Sequence, residues 1–319
     1  MVEHFLIADI GGTNARFAIA TARGDGIEVD QVKSFLTNDY DTGVAAIESY
    51  LVSVKVRPDT ACLAAAGPLV NDTVRFTNTH WVLQLAEMRE AFGFNHIRIV
   101  NDFYALASGV HALSDDNFLK LNPGTPVPNA PQLVIGPGTG FGQALIIPTQ
   151  NGNEIVATEG GHLTFAPMTK IEREINDIVA LECGRVSVER LLSGPGIEAM
   201  YAALCEIHGT RGTLNKADEI TRAALSEHCV IARETLNIFC GIFGRVCGDA
   251  VLATGARGGV LIGGGISPKI KSLLLKSQFL DNFYDKGRLS DYLKAVPIRL
   301  IVSESIALLG AARIIAQST

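Results

Sequence analysis

Long runs of lysine and arginine are absent from this sequence, and its net charge of −6 gives it no basic field to attract a polyanion. Nucleic acid is not expected as a partner. The six cysteines, Cys62, Cys183, Cys205, Cys229, Cys240 and Cys247, form no C-x-x-C pair and have no histidine cluster at ligand spacing. They sit among alanines and aliphatic residues and read as buried, reduced thiols. No run of the ~18 apolar residues that a membrane-spanning helix needs is uninterrupted. The longest candidate, Val230 to Ala253, is broken by Arg233, Glu234, Arg245 and Asp249. Met1 leads through His4-Phe5-Leu6-Ile7-Ala8 to Asp9 without a basic n-region or room for an h-region, so no signal peptide is expected. These absences point to a cytoplasmic protein with no membrane partner. Neither a solenoid period nor a low-complexity tract is visible.

What is present is an ordinary globular composition, 47% hydrophobic and 19% charged, over 319 residues, a length that favours two lobes. The first stretch reads as strand, glycine turn, strand: His4 to Ile10, then Gly11-Gly12-Thr13-Asn14, then Arg16 to Thr21. A strand near Ile27 to Leu36 and an amphipathic helix from Thr42 to Val54 follow. Next come strands over Cys62 to Ala66 and Val74 to Asn78, a helix over Leu85 to Phe92, and a strand Ile97 to Val100. That last strand delivers Asn101 and Asp102 to its carboxyl end, where open α/β sheets bind ligands. The opening pattern recurs at Gln132 to Ile135, with further strands at Gln143 to Ile147 and Glu154 to Thr158. Beyond Pro167 the pattern is mainly helical: Ile171 to Glu182, Val188 to Leu192, Ile197 to Ile207, Glu219 to Glu227 and the long segment from Val230. Cys240 and Cys247 share one face of that last helix, which suits packing. Strands at Gly259 to Ile262 and Ile298 to Ser303 precede a closing helix, Ile306 to Ala316, expected to return to the first lobe.

Three glycine turns are left to explain: Gly11-Gly12, Gly136 to Gly142 and Gly263-Gly264-Gly265. Glycines at such turns let backbone amides approach an anion, and Asp9 beside the first one is placed to hold a metal; a plain hairpin is the bland alternative. A dinucleotide fingerprint fails. Starting G-x-G-x-x-G at Gly136, Gly138 or Gly140 puts Phe141, Gln143 or Leu145 at the last glycine. A Walker A loop fails as well, since no lysine follows these glycines at the required spacing.

Taken together, Ala8-Asp9-Ile10-Gly11-Gly12-Thr13-Asn14-Ala15-Arg16, Thr77-Asn78-Thr79-His80-Trp81, Asn101-Asp102-Phe103, Gly138-Thr139-Gly140, Glu159-Gly160-Gly161-His162, Glu189 to Gly196 and Gly263-Gly264-Gly265-Ile266 resemble the bacterial glucokinase family. The family belongs to the actin, hexokinase and sugar kinase superfamily, and the resemblance covers essentially the whole chain. It implies ATP-dependent phosphorylation of glucose with Mg2+. It assigns Asp9 to the magnesium, and Ala8, Ile10, Gly11, Gly12, Thr13 and Asn14 with it to the nucleotide. Gly138, Thr139 and Gly140 are assigned to phosphate from the other lobe, and Gly264 and Gly265 to the adenosine. The related ROK group carries a cysteine run that binds zinc after its E-x-G-H segment. Here His162 is followed by Leu163-Thr164-Phe165-Ala166-Pro167-Met168, so no structural zinc is expected.

Phosphorylating an alcohol requires a base near the hydroxyl. Asp102 is the candidate; capping a helix that starts at Phe103 is the alternative reading, because Asp is a favoured N-cap. The resemblance favours catalysis. Hexose hydroxyls need carboxylates, amides or imidazoles as partners, which Asn101, Asp102, Glu159, His162 and Glu189 supply. Gly160 and Gly161 are expected to allow a ligand close approach. Glu189 and Asn78 are carried by the resemblance, and Trp81 reads as packing rather than as a sugar platform. The expected fold is α/β, two RNase H-like, actin-like lobes with a cleft between them that holds glucose and MgATP. The small lobe is expected to span 1–112 plus 299–319 and the large lobe 113–298, in a homodimer. A sugar-sensing repressor of the ROK kind would need a helix-turn-helix ahead of the first hairpin, and with Asp9 so near the start none is expected. A kinase for fructose, mannose or N-acetylglucosamine is excluded only through the resemblance.

Overall fold

The computed structural model describes residues 3–23, 26–67, 69–76, 79–303 and 305–317. Two compact units are present, one formed by residues 1–116 with 303–319 and the other by 117–302.

The first unit opens with β1 (Glu3–Ile10), β2 (Asn14–Arg23) and β3 (Gly26–Leu36), an antiparallel meander. The helix α1 (Gly43–Val54) follows, capped by Thr42, whose hydroxyl accepts from the Ala45 N–H at 3.1 Å. β4 (Thr60–Ala65) then runs parallel to β1, and every residue in it is buried, as expected of a central strand covered on both faces. Three short strands, β5 (Leu69–Val70), β6 (Thr73–Arg75) and β7 (Val82–Gln84), form a separate small sheet. α2 (Leu85–Phe92), β8 (His96–Asn101) and α3 (Asp102–Gly109) follow; β8 pairs parallel to β4, giving the strand order β3-β2-β1-β4-β8. Alternation along β1 divides the core. Leu6, Ala8 and Ile10 pack with Ile47, Tyr50, Trp81 and Met88, whereas Phe5 and Ile7 face the other side.

The second unit contains β9 (Phe118–Asn122), β10 (Gln132–Pro137), β11 (Phe141–Thr149) and β12 (Gly152–Thr158). A helical run comes next: α4 (Lys170–Cys183), α5 (Val188–Leu191), α6 (Gly194–Ile207), α7 (Ala217–Leu225) and α8 (Val230–Thr254). It ends with β13 (Gly259–Ile262), α9 (Lys271–Leu274), α10 (Phe279–Tyr284), α11 (Ser290–Lys294) and β14 (Ile298–Ile301). The sheet order is β12-β11-β10-β13-β14-β9, with β10, β13 and β14 parallel. A meander followed by parallel strands thus occurs in both sheets. α8 is long and apolar enough to cross a membrane, but Phe239, Cys240, Ile242, Phe243, Cys247 and Val251 are buried in the core of this unit. Four of the six cysteines are buried, while Cys183 and Cys229 are only half covered, which corrects the expectation that all were buried. The Cys62 and Cys240 thiols are pushed up to about 12 by that burial.

The chain then returns to the first unit as α12 (Ile306–Ala316). Leu308, Ala311, Ala312, Ile314 and Ile315 cover Phe5, Ile7, Cys62 and Ala105. The helix lies so close to α3 that a Cβ on Gly310 would run into the Ala105 carbonyl. The unit boundaries differ from the expected 112/113 and 298/299. β14 pairs with β13 and β9, so 299–302 belong with the second sheet, and 113–116 stay with the first unit.

Candidate active site

At the first glycine turn, β1 ends at Ile10 and β2 begins at Asn14. Gly11 donates its N–H to the Asn14 carbonyl at 2.9 Å. Thr37, fully buried, holds the turn from outside: its hydroxyl donates to the Gly12 carbonyl at 2.8 Å and its N–H to the Thr13 carbonyl at 3.1 Å. The turn is therefore shaped by the protein itself before any anion arrives. Ala8 and Ile10 bury their side chains completely and can offer a ligand only main-chain groups. Asp9 Oδ2 accepts from Arg16 at 2.5 Å, the two residues being directly opposite in the β1–β2 pairing. Arg16 lay inside the recognised motif without a role. Counting back from the turn along both strands would have paired it with Asp9.

At the end of β8 the structure separates two residues that the sequence leaves ambiguous. Asn101 is the N-cap of α3: its Oδ1 accepts from the N–H groups of Phe103 at 2.9 Å and Tyr104 at 3.1 Å. Asp102 is already the first helical residue, half-buried, with Oδ1 2.9 Å from the Phe103 N–H. The expected alternative, a helix starting at Phe103 with Asp102 as its cap, is thus corrected. Asn78 lies outside the described residues. Trp81 is buried against Leu83 and Gly43 and donates its indole N–H to the Tyr40 carbonyl at 2.9 Å, so it packs the core.

In the second unit, Gly138, Thr139 and Gly140 form the turn between β10 and β11, closed by Gly138 donating to the Gly140 carbonyl at 2.7 Å. Two other segments meet it. Gly194, at the start of α6, donates to the Gly138 carbonyl at 2.9 Å, and Ile266, just past Gly264 and Gly265, donates to the Pro137 carbonyl at 3.2 Å. Glu189 Oε2 accepts the Phe141 N–H at 2.7 Å. The second and third glycine turns and the Glu189–Gly194 segment are thus brought together in one place.

Glu159 and His162 flank a short 3-10 turn after β12, with both side chains exposed and His162 Nε2 3.8 Å from Glu159 Oε2. They present a carboxylate and an imidazole side by side. A Cβ on Gly160 would meet the Gln143 amide and one on Gly161 the Phe141 carbonyl, so both glycines let the turn lie against β11. Gln143, buried beneath the turn, and Arg185, which donates to the His162 carbonyl at 3.0 Å, support it and were not singled out from sequence. Their partners lie 17 or more positions away in the chain by numbering, so no local pattern marks them.

Among the described residues no three His, Cys, Asp or Glu side chains cluster as a metal cage. Asp9 offers a hard carboxylate oxygen of the kind Mg2+ takes, and its ion pair with Arg16 is made through Oδ2.

Glycine turns lie at the strand corners of both sheets, and an aspartate heads α3. The comparisons place the chain among sugar kinases. The family model described as glucokinase matches residues 6–318. The glucokinase of Hahella chejuensis is 40% identical over 311 residues, covering 97% of this chain and 96% of that protein. A glucokinase crystal structure from an Antarctic psychrotroph superposes with a TM-score of 0.81 at 36% identity, covering 99% of both chains. A ROK family glucokinase from Streptomyces griseus, solved with glucose and AMPPNP, shares the fold with a TM-score of 0.64 at 18% identity, covering 98% of this chain and 99% of that one. The chain belongs to the glucokinase family, and its activity is the phosphorylation of glucose.

Proposed function

We propose that residues of both units serve one reaction, the transfer of the γ-phosphoryl group of ATP to the 6-hydroxyl of D-glucose, giving glucose 6-phosphate and ADP. In this reading each unit is an RNase H-like, actin-like lobe, supported by the meander followed by parallel strands that both sheets contain. Asp102 is the general base. It takes the proton of the 6-hydroxyl as that oxygen bonds to the γ-phosphorus and the bond to the β-phosphate oxygen breaks. The observation that carries the assignment is the place of Asp102, the first helical residue of α3 at the carboxyl end of β8, directly after the Asn101 that caps the helix.

Asn101, whose amide oxygen is committed to the cap, offers the sugar its NH2 donors, and Asn78 is its companion. Glu159, His162 and Glu189 accept from or donate to the remaining hydroxyls. Ala8, Ile10, Gly11, Gly12, Thr13 and Asn14 from one unit and Gly138, Thr139 and Gly140 from the other present main-chain groups to the phosphates. Gly264 and Gly265 flank the adenosine. Asp9 would hold the Mg2+, which when bound offsets charge on the phosphates. The protein acts in the cytoplasm as a homodimer.

The test is a coupled assay across sugars and donors, with light scattering for the oligomer. Glucose with MgATP should give the highest kcat/KM. A higher value with mannose, fructose or N-acetylglucosamine, or with ADP or polyphosphate as donor, would overturn the assignment of substrates.

A further inference from the structure

The segment from Glu189 to Gly194 grips the second phosphate turn at both ends. Glu189 Oε2 accepts the Phe141 N–H at 2.7 Å on one side, and Gly194 donates to the Gly138 carbonyl at 2.9 Å on the other. Between them the Ser193 hydroxyl donates to the Glu189 carbonyl at 2.7 Å, which ties the two grips to each other. The carboxylate lies directly over the turn: a Cβ on Gly140 would be 2.5 Å from Oε2 and 3.9 Å from Oε1. A charged acceptor on a main-chain donor is among the stronger hydrogen bonds available, and here it ends in the turn that meets phosphate.

We propose that Glu189 is a positioning residue for the nucleotide as well as a sugar ligand. One carboxylate oxygen sets the conformation of the Gly138–Gly140 turn while the other meets the sugar, so a single side chain couples the two substrates. The coupling half rests on the sugar contact given under Proposed function; the positioning half needs no sugar at all. Coupling of this kind is reciprocal, so glucose raises nucleotide affinity by the factor by which nucleotide raises glucose affinity.

The experiment titrates AMPPNP with excess Mg2+ by calorimetry into wild-type protein and the variants Glu189→Ala, Glu189→Gln and Glu189→Asp, first without sugar. Glu189→Ala should bind about tenfold more weakly, having lost the charged hydrogen bond on the turn. Glu189→Gln should stay within about threefold of wild type, because its amide oxygen still accepts from Phe141. Glu189→Asp, one methylene too short to span the gap, should match the alanine variant; melting temperatures identify any variant that has not folded, and the Gln and Asp pair then carries the comparison. Sugar-free binding that is the same in wild type, Glu189→Asp and Glu189→Ala overturns the positioning role. The titration is then repeated with saturating glucose. The affinity should rise in wild type and not in Glu189→Gln, whose NH2 cannot accept from a hydroxyl. A rise retained in Glu189→Gln, or absent from wild type, overturns the coupling. A wild-type protein that binds AMPPNP but does not phosphorylate glucose would instead sink the assigned reaction and leave the sugar-free comparison standing.

Discussion

Asp102→Asn separates chemistry from structure, because the cap of α3 belongs to Asn101. The bonds of 2.9 and 3.1 Å from Phe103 and Tyr104 to Asn101 survive the change. An asparagine oxygen can also keep the 2.9 Å contact of residue 102 with the Phe103 N–H. Stability should therefore move by no more than about 0.5 kcal/mol, a shift of roughly 1–3 °C in melting temperature. The amide cannot take the proton released as the new P–O bond forms. General-base assistance is worth ~10² to 10⁴ in rate, or about 3 to 5 kcal/mol of barrier, so kcat should fall by that factor while glucose affinity changes far less. Asn101→Ala supplies the contrast: it removes the cap itself, at ~1 kcal/mol, and should lower the melting temperature by a few degrees. The assay couples glucose 6-phosphate formation to a dehydrogenase at saturating glucose and MgATP, beside the glucose Kd by calorimetry and a thermal melt. If Asp102→Asn keeps more than about a tenth of wild-type kcat, well short of the loss expected for a base, the assignment is refuted.

Glu159→Gln should weaken glucose binding and leave the melting temperature within about a degree, since among the described residues the exposed side chain is seen only to approach His162 at 3.8 Å; unchanged glucose affinity by calorimetry would remove it from the site. Gly310→Ala should destabilise the protein by about 1 to 3 kcal/mol or more, because the added methyl meets the Ala105 backbone carbonyl rather than a movable side chain, and an unaltered denaturant midpoint would contradict the packing of α12 on α3. Alkylation at pH 8 should modify Cys183 and Cys229 in the folded protein and spare the four buried thiols. Burial pushes Cys62 and Cys240 up to about 12 and so keeps them protonated there; rapid loss of either thiol, followed by mass spectrometry, would show that its surroundings open.

How much of this was legible in the sequence depended on whether the signal was local. The strands and turns around Gly11, Gly138 and Gly264, the helix over Leu85 to Phe92 and the closing helix were readable, because glycine placement and apolar periodicity write them into short windows. β9 was not, since its half-buried Phe118–Asn122 becomes a strand only by pairing with β14, some 180 residues further on by numbering. The same pairing moved the unit boundary past Ile301. The cap of α3 could not be assigned from Asn101-Asp102, because the two residue types rank equally at that position and only the backbone decides. In the site, the pattern gave candidates but not their neighbours. Thr37 behind the first turn, Gln143 beneath Gly160 and the Phe141 N–H under Glu189 are contacts between distant segments, invisible to any window. α9, α10 and α11 are each six residues or shorter and too brief to show a period.

The return of α12 to the first unit has a consequence for how the molecule is made. A chain synthesised from its amino end releases residues 1–116 first, yet these cannot cover Phe5, Ile7, Cys62 and Ala105 until Leu308, Ala311, Ile314 and Ile315 have left the ribosome. The second unit is one uninterrupted segment, 117–302, whose ends are already joined where the Val302 N–H donates to the Asn117 carbonyl at 2.9 Å. It can complete its core while the first unit still waits with one face of its sheet bare. The unit made later can thus close its core first, and α12, made after it, is what closes the unit made before it.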